Sequence, residues 1–136
     1  MPVYLKYGNI TGEVTEPAHR GWIELSSVQW GVGRGVSSPT GGSAGRESGS
    51  SNVSEIVVTK NVDSASTALF RESLSGEGVS AVVDFVRDDG SVYLRVAMSG
   101  TLIASYTLSG SGDDATESLT LNFSKVEFKS TPGTPP

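Results

Sequence analysis

Hydrophobic and polar residues alternate along most of this chain. Val3, Leu5 and Tyr7 share one parity near the start. The same period of two returns in residues 79–86, 91–100, 101–110 and 117–128. A period of two is typical of β-strands with one buried face. The pattern therefore predicts a mainly β fold of about seven or eight strands, built as a β-barrel of two antiparallel sheets that is closed or nearly closed.

The alternation changes phase at two places. Ile23 and Leu25 share one face of a strand, whereas Val28 and Trp30, a few residues later, share the other. A second change of phase falls between residues 123 and 126. An extra residue in a strand reverses the direction of every side chain that follows it, so each change predicts a β-bulge.

One segment between the strands has the period of a helix. Its apolar residues form i,i+4 pairs, Ala65/Leu69 and Phe70/Leu74. We predict one short flanking α-helix over about 64–75, outside the barrel. Asp63 is the expected N-cap, with its carboxylate accepting a hydrogen bond from the Ser66 amide. Gly76 is expected to end the helix in the left-handed conformation.

Residues 31–51 are poor in apolar side chains and rich in glycine and serine. This composition predicts a long extended loop, and a loop of that length in a compact domain is usually functional or disordered. Residues 1–129 are expected to form a single domain, and the proline-rich residues 130–136 a disordered tail.

The strand over residues 79–86 is apolar on both faces, because Val82 and Val86 lie opposite the alternating set that includes Val83. A barrel wall needs only its inner face to be apolar. The outer face of this strand therefore needs a cover. The pattern leaves two sources of that cover equally open, the helix of the same chain and a neighbouring subunit.

Composition narrows the possible partners and the compartment. The 136-residue chain carries 15 acidic and 10 basic residues, a net charge of −5, and no cysteine. This balance argues against binding to nucleic acid and against stable insertion into or adsorption on a membrane. We see no apolar run that could serve as a signal peptide or a membrane span, so we expect a protein made and folded in the cytoplasm.

No group of residues predicts catalysis, a metal or a cofactor. The run "GGSAG" over residues 41–45 matches the nucleophile-elbow pattern, but the strand and helix that this motif requires are not predicted around it. His19 is the only histidine and cannot form a zinc site without other nitrogen or sulfur ligands. We therefore expect a protein that is not an enzyme.

Three separated segments, "EIVVTKNVDSASTALFRESLSGE", "AHRGWIELSSVQWGVGRG" and "ESLTLNFSKVEF", resemble the Hcp family. These haemolysin-coregulated proteins form the tube of bacterial type VI secretion. In the first segment Thr59, Lys60, Asp63, Leu69 and Gly76 stand where the family pattern places them. The resemblance covers roughly residues 3–128.

The resemblance implies a homohexameric ring that stacks into a tube inside a contractile sheath, beneath a spike. It implies small effector proteins as cargo in the lumen, and secretion or injection of the folded tube without a signal peptide. Two alternatives stay open, a stand-alone β-barrel that binds a small ligand and a phage-like tail-tube protein.

The resemblance also implies candidate surfaces. Val82 and Val86 are candidates for the lateral interface within a ring. Gln29 and Ser26 are candidates for the lumen, although Gln29 could equally face solvent on a monomer. The 31–51 loop is expected to reach the next ring, with these candidate contacts: Val32, Arg34, Val36 and Arg46.

Overall fold

The computed structural model describes residues 2–30, 32–34, 51–53 and 55–131. Within them the strands are β1 (Val3–Tyr7), β2 (Ile23–Leu25), β3 (Ser27–Gln29), β4 (Val32–Arg34), β5 (Ser51–Val53), β6 (Ile56–Asn61), β7 (Val79–Val86), β8 (Val92–Ser111), β9 (Asp114–Asn122) and β10 (Lys125–Ser130). The helices are α1 (Ser66–Ser75) and a short 3-10 helix (Pro17–His19).

The long strand β8 belongs to two antiparallel sheets. Its first half pairs with β10 and with β7, and β7 continues through β1 to β2, in what we call sheet 1. Its second half pairs with β9, which continues through β6 to β3, in what we call sheet 2. The two-sheet β fold is therefore confirmed. The path of paired strands ends at β2 and β3, so the barrel is not closed.

Both predicted phase changes are confirmed, but each is a corner between the sheets. The chain leaves β2, which pairs with β1, and enters β3, which pairs with β6. At the bend the Ser26 amide donates to the Thr59 carbonyl at 2.7 Å. At the second corner the Ser124 amide donates to the Ser99 carbonyl at 3.0 Å. Side chains reverse parity because the strand turns from one layer into the other.

A bulge in β8 decides which of its residues face inward. Ile103 pairs with Leu121 and Ser105 pairs with Thr120, so the register shifts at Ala104 between them. Ile103 and Tyr106 consequently point to the same, inner side, and Leu102 points outward.

The core lies between the two sheets and includes one side of α1. Buried apolar residues of this core include Leu5, Tyr7, Ile23, Val58, Ala65, Leu69, Val83, Met98, Leu119 and Leu121. Ala65 and Leu69 come from the helical segment, and α1 packs against β8. The helix thus completes the core and does not simply cover the outer face of a finished barrel.

The helix begins at Ser66, two residues after the predicted start, and Ala65 precedes it without a side-chain cap. The predicted bond from the Ser66 amide to the Asp63 carboxylate is wrong. That carboxylate accepts from the Ala65 amide at 3.0 Å, and the Asp63 carbonyl accepts from the Ser66 amide. Gly76 is extended, with φ −71° and ψ 152°. A Cβ there would lie 2.6 Å from the Glu72 carbonyl oxygen, so close approach and not a left-handed turn requires glycine.

The predicted 31–51 loop is not structureless at its ends. Strands β4 and β5 pair as a two-stranded antiparallel ribbon, with Val32 opposite Val53 and Arg34 opposite Ser51. Val36 and Arg46 lie outside the described residues. Strand β10 ends one residue beyond the predicted domain end, and residues 132–136 of the predicted tail also lie outside the described part of the chain.

Candidate assembly surfaces

The outer face of sheet 2 is lined by hydroxyl and amide side chains. They alternate along their strands with core residues such as Val58 and Leu119, and they form cross-strand rows. We call the following residues the hydroxyl face: Ser27, Gln29, Val57, Thr59, Asn61, Ser105, Thr107, Ser109, Thr116, Ser118, Thr120 and Asn122. None of them is charged. Protein surfaces are ordinarily about a quarter or more charged.

The outer face of sheet 1 has the opposite character. One cross-strand row contains Glu24, Tyr4, Asp84, Arg95 and Lys129. The next row includes Lys6, Val82, Ala97 and Glu127. We call these two rows the charged face. Tyr4 and Asp84 in the first row are buried, whereas the lysine, arginine and glutamate side chains of both rows are exposed, so the two sheets present chemically different surfaces.

The lumen candidates lie at one edge of the hydroxyl face. Gln29 is exposed and belongs to that face, in a row with Val57 and Thr120. Ser26 is exposed at the corner that leads into the same strand. Both side chains are therefore accessible to another molecule.

One of the two lateral candidates is wrong. Val86 is 1% exposed in the single chain, so its side chain cannot contact a neighbouring subunit. The outer side of β7 is covered from within the chain, because the segment with the 3-10 helix places His19 on Asp84. The cover thus comes from this segment and not from α1. Val82 is partly exposed beside Lys6, in a shallow groove.

A buried ion cluster joins the start of α1 to sheet 2. The Lys60 ammonium donates to Glu117 at 2.5 Å and to Asp63 at 2.8 Å. The Ser66 hydroxyl donates to Glu117 at 2.6 Å, and the Tyr106 hydroxyl donates to its other oxygen. Lys60 and Glu117 have no exposed surface. We call these five residues the Lys60 cluster.

Hydrogen bonding within the Lys60 cluster changes the acidity of its members. Burial alone would raise the pKa of Glu117, but the bonds from Lys60, Ser66 and Tyr106 outweigh burial and lower it. Burial, together with the neighbouring Glu117 carboxylate, raises the pKa of Tyr106 to about 12. Both shifts favour the ionised carboxylate beside a neutral phenol.

A second ion cluster, Glu16, His19, Asp84 and Arg95, lies on the charged face. His19 is buried, with one ring nitrogen on Glu16 and the other 2.8 Å from Asp84. Arg95 donates twice to Asp84, at 2.7 Å each. The hydrogen bond to His19 lowers the pKa of Glu16. We call these four residues the His19 cluster.

Neither cluster shows the arrangement of an active site. In each cluster the hydrogen bonds are made to other residues of the same chain, and the cluster joins a peripheral segment to a sheet. Among the described residues no group of three or more His, Asp and Glu side chains is placed to hold a metal ion. No helix in the described ranges is long and apolar enough to cross a membrane.

Sequence reasoning missed an exposed apolar strip beside α1. Phe70 is 47% exposed, Leu74 71% and Leu108 60%. Phe70 packs edge-on against Tyr106, with ring centroids 5.3 Å apart, and Leu108 follows on the same side of β8. We call Phe70, Leu74 and Leu108 the α1 strip. The spacing of Phe70 and Leu74 marked an apolar helix face, but it did not show that this face points away from the core.

A cavity opens between the sheets near β10. Its volume is about 250 Å³, and its lining includes Val28, Trp30, Phe85, Leu94 and Phe128. Pockets for small ligands usually measure about 300–1,000 Å³ and carry a few converging polar groups. This cavity is smaller than that range and gives little support to a ligand-binding module, whereas a more polar cleft of about 740 Å³, lined in part by Glu13, Glu24 and Asn61, falls within it.

The chain resembles known proteins over almost its whole length. The family described as "Type VI secretion system effector, Hcp" matches residues 4–129. The chain belongs to the Hcp family. Members of this family are structural tube proteins and secreted components of type VI secretion systems, so the predicted function is confirmed at that level. No curated protein sequence matches the chain significantly.

Solved structures agree with the family. A structure described as a type six secretion system protein has a TM-score of 0.85 at 23% identity, covering 98% of this chain and 85% of its own. Hcp2 from Salmonella typhimurium has a TM-score of 0.75 at 25% identity, covering 96% and 87%. A chain of the sheath–tube complex of an extracellular contractile injection system, PVC, has a TM-score of 0.61 at 17% identity, covering 95% and 88%.

Proposed function

We propose that this Hcp family member forms six-membered rings that stack into the tube of a type VI secretion system, with the hydroxyl face lining the channel. The observation that carries the proposal is the contrast between the two sheets. A subunit of a tube needs one surface that faces the channel and another that faces outward. Sheet 2 offers an uncharged surface, and sheet 1 offers a charged one.

The α1 strip is the surface that we assign to contact between copies. Within a closed ring each subunit uses two different patches, one for each neighbour. Phe70, Leu74 and Leu108 expose apolar area that a second copy would remove from water. Val82 stays a candidate for the complementary patch, since it is partly exposed on the other sheet.

The remaining partners follow from the same proposal. The 31–51 segment would contact the next ring, with Val32 and Arg34 on the β4–β5 ribbon as candidate contacts. The sheath would surround the charged face, the spike would cap the tube, and small effectors would occupy the channel. The subunit would fold in the cytoplasm and leave the cell as part of the expelled tube.

The oligomeric mass tests the ring directly. Light scattering of the wild-type protein should give six times 14.1 kDa. Leu74→Asp places a charge on the α1 strip, so it should lower that mass without unfolding the subunit. The matched control is Arg71→Asp, an exposed change on the same helix, which should keep the ring. A folded wild type that stays monomeric at high concentration would refute the proposal.

Cysteine labelling tests which face lines the channel. The chain has no cysteine, so Gln29→Cys introduces a unique thiol on the hydroxyl face. In rings a small maleimide should label it, whereas a maleimide on a polymer wider than the bore should not. Ser99→Cys, on the exposed side of sheet 1, should react with both reagents. Equal reaction of both reagents with the Gln29→Cys variant would place Gln29 on the outside of the ring.

A further inference from the structure

The middle of the hydroxyl face is uncharged, and acidic side chains stand near its ends. Glu55 precedes β6 at one end. At the other end stand Asp113 in the β8–β9 turn and Asp114, the first residue of β9, and a cleft there brings Glu13 and Glu24 beside Asn61. The central row joins Thr59, Ser118 and Thr107. The described side chains of that face therefore form a neutral band between two acidic margins.

The distance from the margins to the central row limits their influence. Thr59 follows Glu55 by four positions and Ser118 follows Asp114 by four, so each is about 13 Å along the strand. Exposed charges at physiological ionic strength are screened over about 8 Å. A molecule beside the central row therefore experiences little field from either margin.

The side chains of the band offer no preference for either sign of charge. A serine or threonine hydroxyl both donates and accepts, as the bond from Ser105 to Thr120 at 2.9 Å illustrates. Val57 is the one aliphatic side chain of the hydroxyl face, and Leu102, which is 44% exposed opposite Asn122, adjoins the face at the Glu55 end. Contact with the band can thus be made through water and hydroxyls, without the ion pairs or apolar docking that would hold one class of protein.

We propose that the channel of this tube admits protein cargo irrespective of the sign of the cargo's charge, because the hydroxyl face supplies no charged group along the band. The proposal rests on the proposed ring, and it adds the class of cargo that the channel accepts. Size and shape would then decide what the channel carries. The charged face, by contrast, would lie on the outside of the tube.

The field inside the channel can be measured with charged thiol reagents. Thr107→Cys places one thiol in the central row, at an exposed position. Its rates of reaction with a cationic and an anionic methanethiosulfonate of similar size are compared in rings and in the same variant unfolded in urea. The ratio of the two rates in rings should stay within about threefold of the ratio for the unfolded chain, since a charged cleft changes such rates by about tenfold or more.

Two companion variants show that the assay responds to charge. Ser118 lies directly opposite Thr107, so Ser118→Glu should shift the ratio toward the cationic reagent by about tenfold, and Ser118→Lys should shift it in the opposite direction. Two substitutions of opposite charge keep the test usable if one of them impairs folding.

The outcomes separate this inference from the proposed function. Intact rings with a ratio shifted tenfold in Thr107→Cys itself would overturn the neutral channel and leave the ring standing. If the thiol of the Thr107→Cys variant reacts with neither reagent in intact rings, this face is buried between subunits. That result would overturn both the neutral channel and the proposal that the hydroxyl face lines it. Failure of the wild type to form rings would also overturn both.

Discussion

Each of the two ion clusters attaches a segment of the chain to a sheet, but the two differ in their exposure to solvent. The Lys60 cluster joins the start of α1 to sheet 2 and is closed off from solvent, since Lys60 and Glu117 expose no surface. The His19 cluster joins the 3-10 segment to the outside of sheet 1, where Arg95 is half-exposed. One cluster lies beneath a helix, and the other lies beneath a surface segment.

This difference in solvation decides what each cluster contributes. In the Lys60 cluster the charges of Lys60 and Glu117 depend on protein partners, because water cannot replace a lost one. In the His19 cluster Asp84 also exposes no surface, but it keeps two hydrogen-bonding partners and water can still reach Arg95, so the loss of one bond is partly compensated. The cluster that depends more on its protein partners therefore lies at the junction of helix and sheet, where its loss would weaken the attachment of α1 to the core.

Breaking the Lys60 cluster should have the largest effect. Lys60→Met leaves the buried Glu117 carboxylate without its cation, which should lower the free energy of unfolding by about 3–5 kcal/mol. Urea denaturation measures this loss. Adding Glu117→Leu should recover much of it, because an apolar pair needs no solvation, and the double-mutant cycle isolates the coupling. A loss below about 1 kcal/mol for Lys60→Met would contradict the assignment.

Breaking the His19 cluster should cost less. Asp84→Ala removes the acceptor for both His19 and Arg95, and we expect a loss of about 1.5–3 kcal/mol in the free energy of unfolding. Arg95→Met is the matched change on the exposed side and should cost about 1 kcal/mol or less. If Asp84→Ala proves as costly as Lys60→Met, solvation does not separate the two clusters.

Asp63 tests the contact between the Lys60 cluster and the helix start. Asp63→Ala should cost about 0.5–2 kcal/mol, because the Ala65 amide loses its acceptor. Asp63→Asn keeps an oxygen for that amide and removes the charge beside Lys60. Its loss therefore measures the ion pair with Lys60 separately from the hydrogen bond to the Ala65 amide. Equal thermal stability of the wild type and Asp63→Ala would show that the carboxylate does not stabilise the helix start.

Alkaline pH should weaken the Lys60 cluster with no effect near neutrality. The pKa of Tyr106 is about 12 in the fold and about 10 when the chain is unfolded. The contribution of Tyr106 to the free energy of unfolding is therefore complete below pH 10. It is lost as the pH rises from 10 to 12, because in that interval the phenol ionises only in the unfolded chain. Tyr106→Phe should make the stability of the protein less dependent on pH in that interval. An unchanged pH dependence would mean that another group causes the loss.

The local pattern of the sequence predicted the elements of this fold well. The strands, the α-helix near residues 64–75 and both phase changes are present, and Gln29 lies on an exposed polar face as alternation required. These features depend on the period of two and on i,i+4 spacing, which neighbouring residues determine by themselves. The resemblance to the Hcp family likewise rested on local stretches of sequence, three separated segments that include the one around Lys60 and Asp63.

Tertiary structure decided which surfaces are free. Val86 is buried, and Phe70 with Leu74 is exposed, although their local patterns decided neither. Alternation tells which residues share a face, but the cover of that face comes from distant parts of the chain. His19 meets Asp84 across 65 positions, and Lys60 meets Glu117 across 57. Burial and ion pairing depend on these long-range contacts, so no local signal in the sequence could reveal them.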